Sequence, residues 1–190
     1  MTKAPSLDQL KQALDAGLID QATFDAATAG INAHLTGGGA IAQGQDALAL
    51  AERAAGKGIT CSYHPNSPMG SVFRTEEDYE ILLNGLHSKH IGYTPDVGHI
   101  AKAGMDPLAI IKRYRELVNL VHYKDMYADG RWAQTGEGVI QFNEITEYLV
   151  DTNYEGWIVM EDEADQAITD PDGVTTKDGV YVNSKIKPIL

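Results

Sequence analysis

Apolar and polar positions follow a regular order from residue 59 onward. Four short apolar runs each end in a side chain that can bind a metal ion or transfer a proton, and these end residues are His64, Asp96, His122 and Glu161. Segments with helical spacing separate the runs, and strands that alternate with helices are typical of a parallel sheet. Because ligands bind beyond the carboxyl ends of such strands, we expect these four side chains to meet there.

The helical segments carry recognisable start signals. Residues 75–78 have a capping pattern that predicts a helix to about Leu86, and Asp106 precedes a first-turn proline. Asn143 is a candidate cap for a further helix. Residues 170–173 contain a proline and a glycine and predict a turn. The pattern gives about four βα units and a poorly defined last helix after Lys185.

The first fifty residues have a different character. Residues 1–36 contain two short amphipathic patterns that a glycine at position 17 separates, which predicts a helical hairpin, and residues 37–46 form a glycine-rich linker. The hairpin resembles short modules that mediate self-association in bacterial proteins. A helical lid that packs on the neighbouring sheet is the alternative interpretation.

Composition excludes several classes of partner. The chain has 190 residues and a formal net charge of −12, so we expect no nucleic-acid partner and no anionic membrane surface. No apolar run approaches the length of a membrane span, and the N-terminus lacks a secretion signal. Cys61 is the sole cysteine, which fits a reducing cytoplasm, and its place in an apolar run indicates a small buried side chain.

Three of the strand-end residues form a candidate metal site. Asp96, His122 and Glu161 together supply two carboxylates and an imidazole, an ordinary ligand set for Mn²⁺, Mg²⁺, Co²⁺ or Zn²⁺. Taken singly, a strand-end carboxylate more often caps a helix and a histidine is usually just hydrogen bonded. Because all three are expected at the carboxyl ends of neighbouring strands, a shared metal site is the favoured interpretation.

Several neighbours are candidates for substrate contacts or catalysis. His99 follows a glycine that lets the backbone turn, so it is a candidate ligand, positioning residue or substrate contact. Lys124 could stabilise an enediolate or be a solvated loop charge, and Asp125 is expected to anchor the loop. Trp132 either stacks on a sugar or holds its loop in place, and Trp157 is expected in the core.

Five motifs follow one another in order along the chain, and they read YHPN…MGSVFRTEEDYEILL, GYTPDVGHIAKAGMDPLAII, LVHYKDMY, TGEGVIQF and YEGWIVMEDE. Together they resemble the carboxyl half of the xylose-isomerase-like TIM barrels, which include sugar isomerases, sugar epimerases and inosose dehydratases, and the resemblance covers roughly residues 47–190. The resemblance implies a half TIM barrel preceded by the helical hairpin. It also implies metal-ligand roles for Asp96, His122 and Glu161, with Glu161 as a candidate acid/base.

The chain departs from the family in two respects. Many members carry a glutamate ligand near the position of His64, so His64, Glu76 and Glu77 are alternative fourth ligands, and Glu76 and Glu77 could instead charge a helix N-terminus. A full barrel has eight βα units, and only about four are present here. Open sheet edges favour a homo-oligomer, at least a dimer, and two half barrels that complete one ring are one such arrangement. The alternative is that the helical hairpin covers an edge.

The implied function is a metal-dependent sugar isomerase, epimerase or inosose-type dehydratase. A divalent ion would hold two adjacent oxygens of a sugar or cyclitol, and a carboxylate or imidazole such as Glu161 or His64 would remove the proton next to the carbonyl. Lys124 is the candidate to stabilise the resulting enediolate. The alternative is a non-catalytic half barrel that serves as a binding or assembly module. A nucleic-acid role by analogy with the AP endonucleases is disfavoured by the negative charge.

Overall fold

The computed structural model describes residues 15–16, 49–71, 73–86 and 91–190. The chain divides into two compact units, Met1–Arg53 and Ala54–Leu190, and the sheet lies in the second. The helical hairpin predicted for residues 1–36 lies outside the described residues except for Asp15 and Ala16, and the predicted linker, residues 37–46, lies outside them entirely.

Four parallel strands form the central sheet. They are β1 (Cys61–Tyr63), β2 (Ile91–Tyr93), β3 (Leu120–Tyr123) and β6 (Trp157–Met160). β1 pairs with β2, and β3 pairs with β6. Parallel bridges from Tyr93 to Val118 and from Asp96 to His122 join β2 to β3, which gives the order β1-β2-β3-β6. The carboxyl ends of all four strands therefore lie at one edge of the sheet.

A small hairpin follows β3. Its strands are β4 (Asp125–Met126) and β5 (Trp132–Ala133), which pair antiparallel with Met126 opposite Trp132. The helices are α1 (Glu76–Leu86), α2 (Val97–Lys102), α3 (Pro107–Arg113), α4 (Phe142–Asp151), α5 (Asp165–Thr169) and α6 (Pro171–Tyr181), with a 3₁₀ turn at Arg115–Leu117 and a π-helical turn at Val182–Ile186. Residues 49–55 are also helical.

Helix starts agree with the sequence in some places and not in others. Thr75 and Asp78 form the expected reciprocal cap of α1, and Asp106 caps α3. Helix α4 begins at Phe142, so Asn143 lies inside its first turn instead of capping it. The turn predicted for residues 170–173 is wrong, because Asp170 caps α6 and accepts a hydrogen bond from the Gly173 N–H.

The core lies between one face of the sheet and the helices. Tyr93, Val121 and Tyr123 on this face are fully buried. The opposite face is open beside β6, where Trp157 is 80% exposed and Val159 is 37% exposed. The expectation that Trp157 belongs to the core is wrong, because side chains alternate along a strand and Trp157 points to the open face.

None of the helices in the described part of the chain has the length and apolar character needed to span a bilayer.

Candidate metal centre

Four donor side chains converge at the carboxyl ends of the strands. His64 follows β1, Asp96 follows β2, His122 lies in β3 and Glu161 follows β6. One ligand atom from each lies within 4.8 Å of the other three. We call His64, Asp96, His122 and Glu161 the four-donor cluster. They are brought together because parallel strands in register place their ends side by side, although up to 97 positions separate them along the chain.

Asp96 is the buried member of the cluster. It also caps α2, because its Oδ1 atom accepts a hydrogen bond from the His99 N–H at 2.8 Å. Its other oxygen, Oδ2, is buried and has no hydrogen-bond partner in the described structure. Burial raises the pKa of this carboxyl, against the opposing effects of the His99 N–H and Lys124. Lys124 Nζ lies 3.7 Å from this oxygen, too far for a hydrogen bond, so a buried acceptor remains that a metal ion could use.

The two histidines of the cluster face each other. His64 Nε2 lies 3.2 Å from His122 Nδ1 and 3.6 Å from Asp96 Oδ2. Desolvation and the neighbouring His122 and Lys124 lower the pKa of His64. A neutral imidazole is the form that binds metal ions. Glu76, one of the alternative fourth ligands, instead pairs with Arg113 at 3.2 Å, and Glu77 is exposed on α1.

Glu161 receives two strong contacts. Its Oε2 lies 2.6 Å from His122 Nδ1, and its Oε1 lies 2.6 Å from Lys124 Nζ. Desolvation alone would raise the pKa of Glu161, but hydrogen bonds from Lys124 and His122 outweigh it and lower the pKa to about 2. Glu161 is therefore a carboxylate at neutral pH, which is the form that binds a metal ion.

Lys124 is buried beneath the cluster and has only 1% of its side chain exposed. It contacts Glu161, Asp96 at 3.7 Å and Glu163 at 3.1 Å. Desolvation would lower the pKa of Lys124, but these carboxylates outweigh it and raise the pKa. Lys124 is thus an ammonium ion inside the site, and the interpretation of Lys124 as a solvated loop charge is wrong.

His99 points to the same region, but its ring contacts other partners. Nδ1 lies 2.8 Å from Ser67 Oγ, and Nε2 lies 3.3 Å from Lys124 Nζ. The Ser67 backbone N–H donates to the same Nδ1 at 3.2 Å and to Asn66 Oδ1 at 3.0 Å. Since the Lys124 ammonium can only donate, both ring nitrogens of His99 face hydrogen-bond donors, and Ser67 and Lys124 hold the ring between them. Burial also lowers the pKa of His99.

Gly98 brings α2 close to β3. It does not have a left-handed φ, so the sharp turn expected there is not its role. A Cβ at this position would lie 2.7 Å from the Lys124 carbonyl oxygen and 2.8 Å from Lys124 Cγ. The glycine therefore permits the close packing that holds Asp96 and His99 beside Lys124.

Asp125 anchors the segment after β3, as expected. Its carboxylate accepts hydrogen bonds from the backbone N–H groups of Met126, Gly136, Gly138 and Ile140. A Cβ on Gly138 would meet this carboxylate at 2.2 Å, which explains the glycine. These bonds tie the segment that follows β5 to the start of β4, which lies two residues after Tyr123 at the end of β3.

Trp132 lies beside His99 and Lys124. The His99 and Trp132 rings meet edge to face with centroids 5.1 Å apart, and Lys124 Nζ lies 4.9 Å from the indole centroid. The sequence did not indicate Ser67, Glu163 or Lys102 as neighbours of these residues. Glu163 could have been predicted, because it lies two positions after Glu161. Ser67 lies in a loop and Lys102 at the end of a helix, and neither position points to the site from sequence alone.

Comparisons with known proteins place the sequence in a family. A profile of the xylose isomerase-like TIM barrel family matches residues 4–180. An inosose dehydratase of Clostridium beijerinckii is 30% identical over 154 residues, which cover 72% of this chain and 51% of the relative. The chain spans about half the length of the curated relatives it matches.

Solved structures show the same fold. A D-tagatose 3-epimerase-like protein superposes with a TM-score of 0.52 and 25% identity, covering 72% of this chain and 52% of that one. A probable 3-DHS dehydratase from Bacillus anthracis gives a TM-score of 0.59 at 17% identity, covering 74% of this chain and 55% of that one.

A parallel sheet with donor side chains at the carboxyl ends of its strands is typical of α/β proteins, the TIM barrels among them. The chain belongs to the xylose isomerase-like TIM barrel family. The family resemblance seen in the motifs and the TIM-barrel-like α/β class are therefore confirmed.

Proposed function

We propose that this chain provides the metal site of a sugar isomerase or epimerase, or of an inosose-type dehydratase. The observation that carries the proposal is the four-donor cluster, in which two imidazoles and two carboxylates from four strand ends lie within 4.8 Å of one another. The names of the relatives, an inosose dehydratase and a D-tagatose 3-epimerase-like protein, support a sugar or cyclitol substrate.

The donor set fits a divalent cation. Two carboxylates balance two positive charges, and nitrogen with oxygen ligands suits Mn²⁺, Co²⁺ or Zn²⁺, with Mg²⁺ a further candidate. Asp96 Oδ2 is buried and forms no hydrogen bond among the described residues, although His64 lies 3.6 Å and Lys124 3.7 Å from it, so it retains lone pairs for a metal ion. We assign His64, Asp96, His122 and Glu161 as the ligands. A bound divalent ion would polarise the substrate carbonyl.

The remaining chemistry belongs to the chain's own side chains. Glu161 is our candidate base for the proton next to the carbonyl because of its place in the cluster, with His64 as the alternative. Lys124 is a buried ammonium 2.6 Å from Glu161 and is suited to stabilise the negative charge of an enediolate. His99 and Trp132 contact Lys124 and are proposed to bind substrate.

The position of the second acid decides the reaction. Return of the proton to another face or carbon is epimerisation or isomerisation, and expulsion of a β-hydroxyl is dehydration. These outcomes share the first proton transfer, so one assay can detect all of them.

A half barrel that completes itself by association remains our proposal for the architecture. Among the described strands, β1 pairs only with β2 and β6 pairs only with β3, so each leaves one edge open. Trp157 and Val159, two exposed apolar residues of β6, also favour a partner that covers this face. We propose a second copy of the chain. The division of the chain into a helical hairpin (residues 1–36), a linker (residues 37–46) and a half barrel (residues 47–190) remains a prediction. A cytoplasmic location also remains a prediction.

The same open face favours a second candidate function, a non-catalytic assembly module that retains the motifs. The two functions differ in one measurable property. An enzyme must exchange the proton next to a substrate carbonyl, whereas an assembly module binds its partner without such exchange.

The first experiment measures metal content. Protein stripped of metal and reloaded with Mn²⁺, Co²⁺, Zn²⁺ or Mg²⁺ should retain one ion per chain, and Asp96→Asn should weaken binding by roughly 100-fold or more. Because burial raises the pKa of Asp96, this substitution should leave metal-free stability intact, so lost metal will not reflect unfolding. Asp129→Asn, in the exposed turn of the hairpin, is the matched control.

The second experiment follows deuterium uptake from D₂O by NMR. D-fructose, D-tagatose and an inosose are incubated with the Mn²⁺-loaded protein, and exchange at the carbon next to the carbonyl is expected in the wild type and not in Glu161→Gln. Retained metal without exchange of any of the three would favour the assembly module. Absence of a stoichiometric ion would rule out the metal-dependent mechanism.

A further inference from the structure

A groove lies between β6 and the two helices that follow it, α5 and α6. Its volume is about 550 Å³, which is within the range of small-molecule sites. Met160, Val174 and Val182 give it an apolar wall, and the aspartates Asp162 and Asp178 also line it. No lysine, arginine or histidine is among the described residues that line the groove.

The groove is separate from the two surfaces discussed above. Side chains alternate along a strand, so Met160 lies on the opposite side of β6 from Trp157 and Val159. Met160 and Val182 pack against the core, whereas Trp157 and Val159 are exposed on the open sheet face. None of the four donors of the metal site lines the groove in the described structure. A ligand in the groove therefore leaves the open face and the metal site free.

Two carboxylates meet at one end of the groove. Gln134 Nε2 lies 2.9 Å from Asp162 Oδ2 and 2.7 Å from Asp178 Oδ1, so one amide nitrogen donates to both. Burial raises the pKa of Asp178, and the charge of Asp162 adds to this effect, against the opposing effects of the Thr135 and Gln134 side chains. The neutral amide supplies hydrogen bonds but no positive charge.

Asp178 differs in this respect from the other buried aspartates of the described structure, Asp96 and Asp125. Asp96 lies 3.7 Å from the Lys124 ammonium, and Asp125 accepts hydrogen bonds from four backbone N–H groups. Asp178 instead has a second carboxylate as its charged neighbour. Two like charges at a buried site favour a cation that lies between or beside them.

Two more oxygen atoms at this end have no hydrogen-bond partner. Gln134 is 2% exposed and Thr135 is 6% exposed, yet Gln134 Oε1 and Thr135 Oγ1 form no hydrogen bond within the described part of the chain. The Thr135 N–H donates to Asp162 Oδ2 at 3.1 Å, and its side chain lies close enough to Asp178 to lower the pKa of that carboxyl. This end of the groove thus has acceptor oxygens in excess and lacks a charged donor.

We propose that the groove binds a primary amine in its ammonium form, with the charged group at Asp162 and Asp178 and the hydrocarbon chain along the apolar wall. An ammonium group has three donor hydrogens and one positive charge, so it can donate to both carboxylates and to Thr135 Oγ1 together. This binding site is additional to the proposed function and does not depend on it.

The groove favours an organic cation over a metal ion. The Gln134 amide nitrogen already donates to both carboxylates, and its N–H groups would repel a metal ion placed between them. The apolar wall contributes to affinity only when the ligand has a hydrocarbon part to bury.

A purely structural role for the two carboxylates makes a different prediction. Gln134 follows β5, so its contacts with Asp162 and Asp178 tie α6 to the segment after this strand. In that role Asp178 keeps a proton, and the pair carries a single charge. Such a tether acts in the free protein and gives no preference for an amine. Dependence of affinity on the charge of a ligand therefore separates the two roles.

The test is titration calorimetry near neutral pH on the metal-free protein with three ligands that share a six-carbon chain. n-Hexylamine is a cation, hexan-1-ol is neutral and hexanoate is an anion. We expect the amine to bind roughly tenfold more tightly than the alcohol, because hydrogen bonds to charged groups are added to the same apolar contact. Hexanoate should bind more weakly than the alcohol.

Two variants and a control complete the design. Asp178→Asn keeps the shape of the side chain and should weaken hexylamine binding about tenfold, and Thr135→Val should weaken it about threefold. Neither should change the affinity for hexan-1-ol. Asp172→Asn removes the same charge from the exposed first turn of α6 and should leave all affinities unchanged. Thermal unfolding of each variant shows that it is folded.

NMR locates the bound amine. Hexylamine should shift the backbone amide signals of Gly179 and Val182, which line the groove, and not those of Asp96 and His122. Equal affinities for the amine and the alcohol, no binding of the amine, an equal effect of Asp178→Asn and Asp172→Asn, or shifts at the four-donor cluster alone would overturn the inference. Because the measurements use metal-free protein and no sugar, their outcome is independent of whether the proposed function is correct.

Discussion

Lys124 Nζ lies 2.6 Å from Glu161 Oε1, and only 1% of the lysine side chain is exposed. This contact links the residue that we propose as base to the ammonium that we propose stabilises the intermediate. It also explains why a lysine is buried in an acidic site, since two further carboxylates, Asp96 and Glu163, lie within 3.7 Å of the same nitrogen.

Replacing Lys124 with methionine should destabilise the protein. Lys124→Met keeps the apolar stem but leaves the Asp96 and Glu161 carboxylates without their cation, and we expect the metal-free protein to lose about 2 kcal/mol of unfolding free energy. Urea denaturation measures the loss. Lys177→Met, on an exposed part of α6, should stay within about 0.5 kcal/mol of wild type. Equal stabilities of the two variants would contradict this account.

Glu161 should make stability depend on pH in the acid range. Its folded pKa of about 2 lies below the ordinary value of 4.5, so its stabilising contribution is complete above pH 4.5 and is lost as the pH falls toward 2. Metal-free Glu161→Gln should therefore show a weaker decline in unfolding free energy over this window. Glu147→Gln, on the exposed side of α4, is the control and should follow the wild-type curve.

Two glycine substitutions should have opposite effects on stability. Gly98→Ala places a methyl group 2.7 Å from the Lys124 carbonyl oxygen, and we expect a loss of about 1–3 kcal/mol with weakened metal binding. Gly85→Ala, in α1, meets nothing within 4 Å and should stabilise by about 0.5–1 kcal/mol. Thermal unfolding of both variants tests the pair, and a neutral Gly98→Ala would show that the contact relaxes without cost.

The exposed indole on the open sheet face should report association. If a second copy covers β6, Trp157→Gln should shift the protein toward monomer, because it removes the most exposed aromatic side chain of that face. Size-exclusion chromatography with light scattering gives the mass. Ile168→Gln, an equally exposed apolar residue on α5, is the control. A wild-type monomer at all concentrations would exclude self-association.

The sequence predicted the site best where the position of a residue along the chain also fixes its position in the sheet. Apolar runs that end in His64, Asp96, His122 and Glu161 predicted both the strands and the edge at which they end. Parallel strands put such ends together whatever lies between them, so convergence could be inferred without coordinates. The role of Asp125 as a loop anchor could also be predicted, because a carboxylate at the start of a glycine-rich loop can accept hydrogen bonds from the backbone N–H groups of that loop.

Other features depended on signals that are ambiguous in a sequence. Asp170 followed by a proline is as typical of a turn as of a helix start, and α6 has too little amphipathic periodicity to decide between them. Trp157 reads as a core residue because it is large and lies in a strand. Which face of the strand is covered depends on what packs against the sheet, and strand periodicity alone does not contain that information.

The sequence by itself determined the α/β class, the family and the residues that converge at the strand ends, because these follow from local patterns and from the order of elements. The tertiary structure decided that Lys124 is a buried ammonium, that Ser67 orients His99, and that Lys102 lies on Trp132. Each of these is a contact between segments distant in the chain, and its distance is set by how a helix, a loop and a hairpin pack on the sheet.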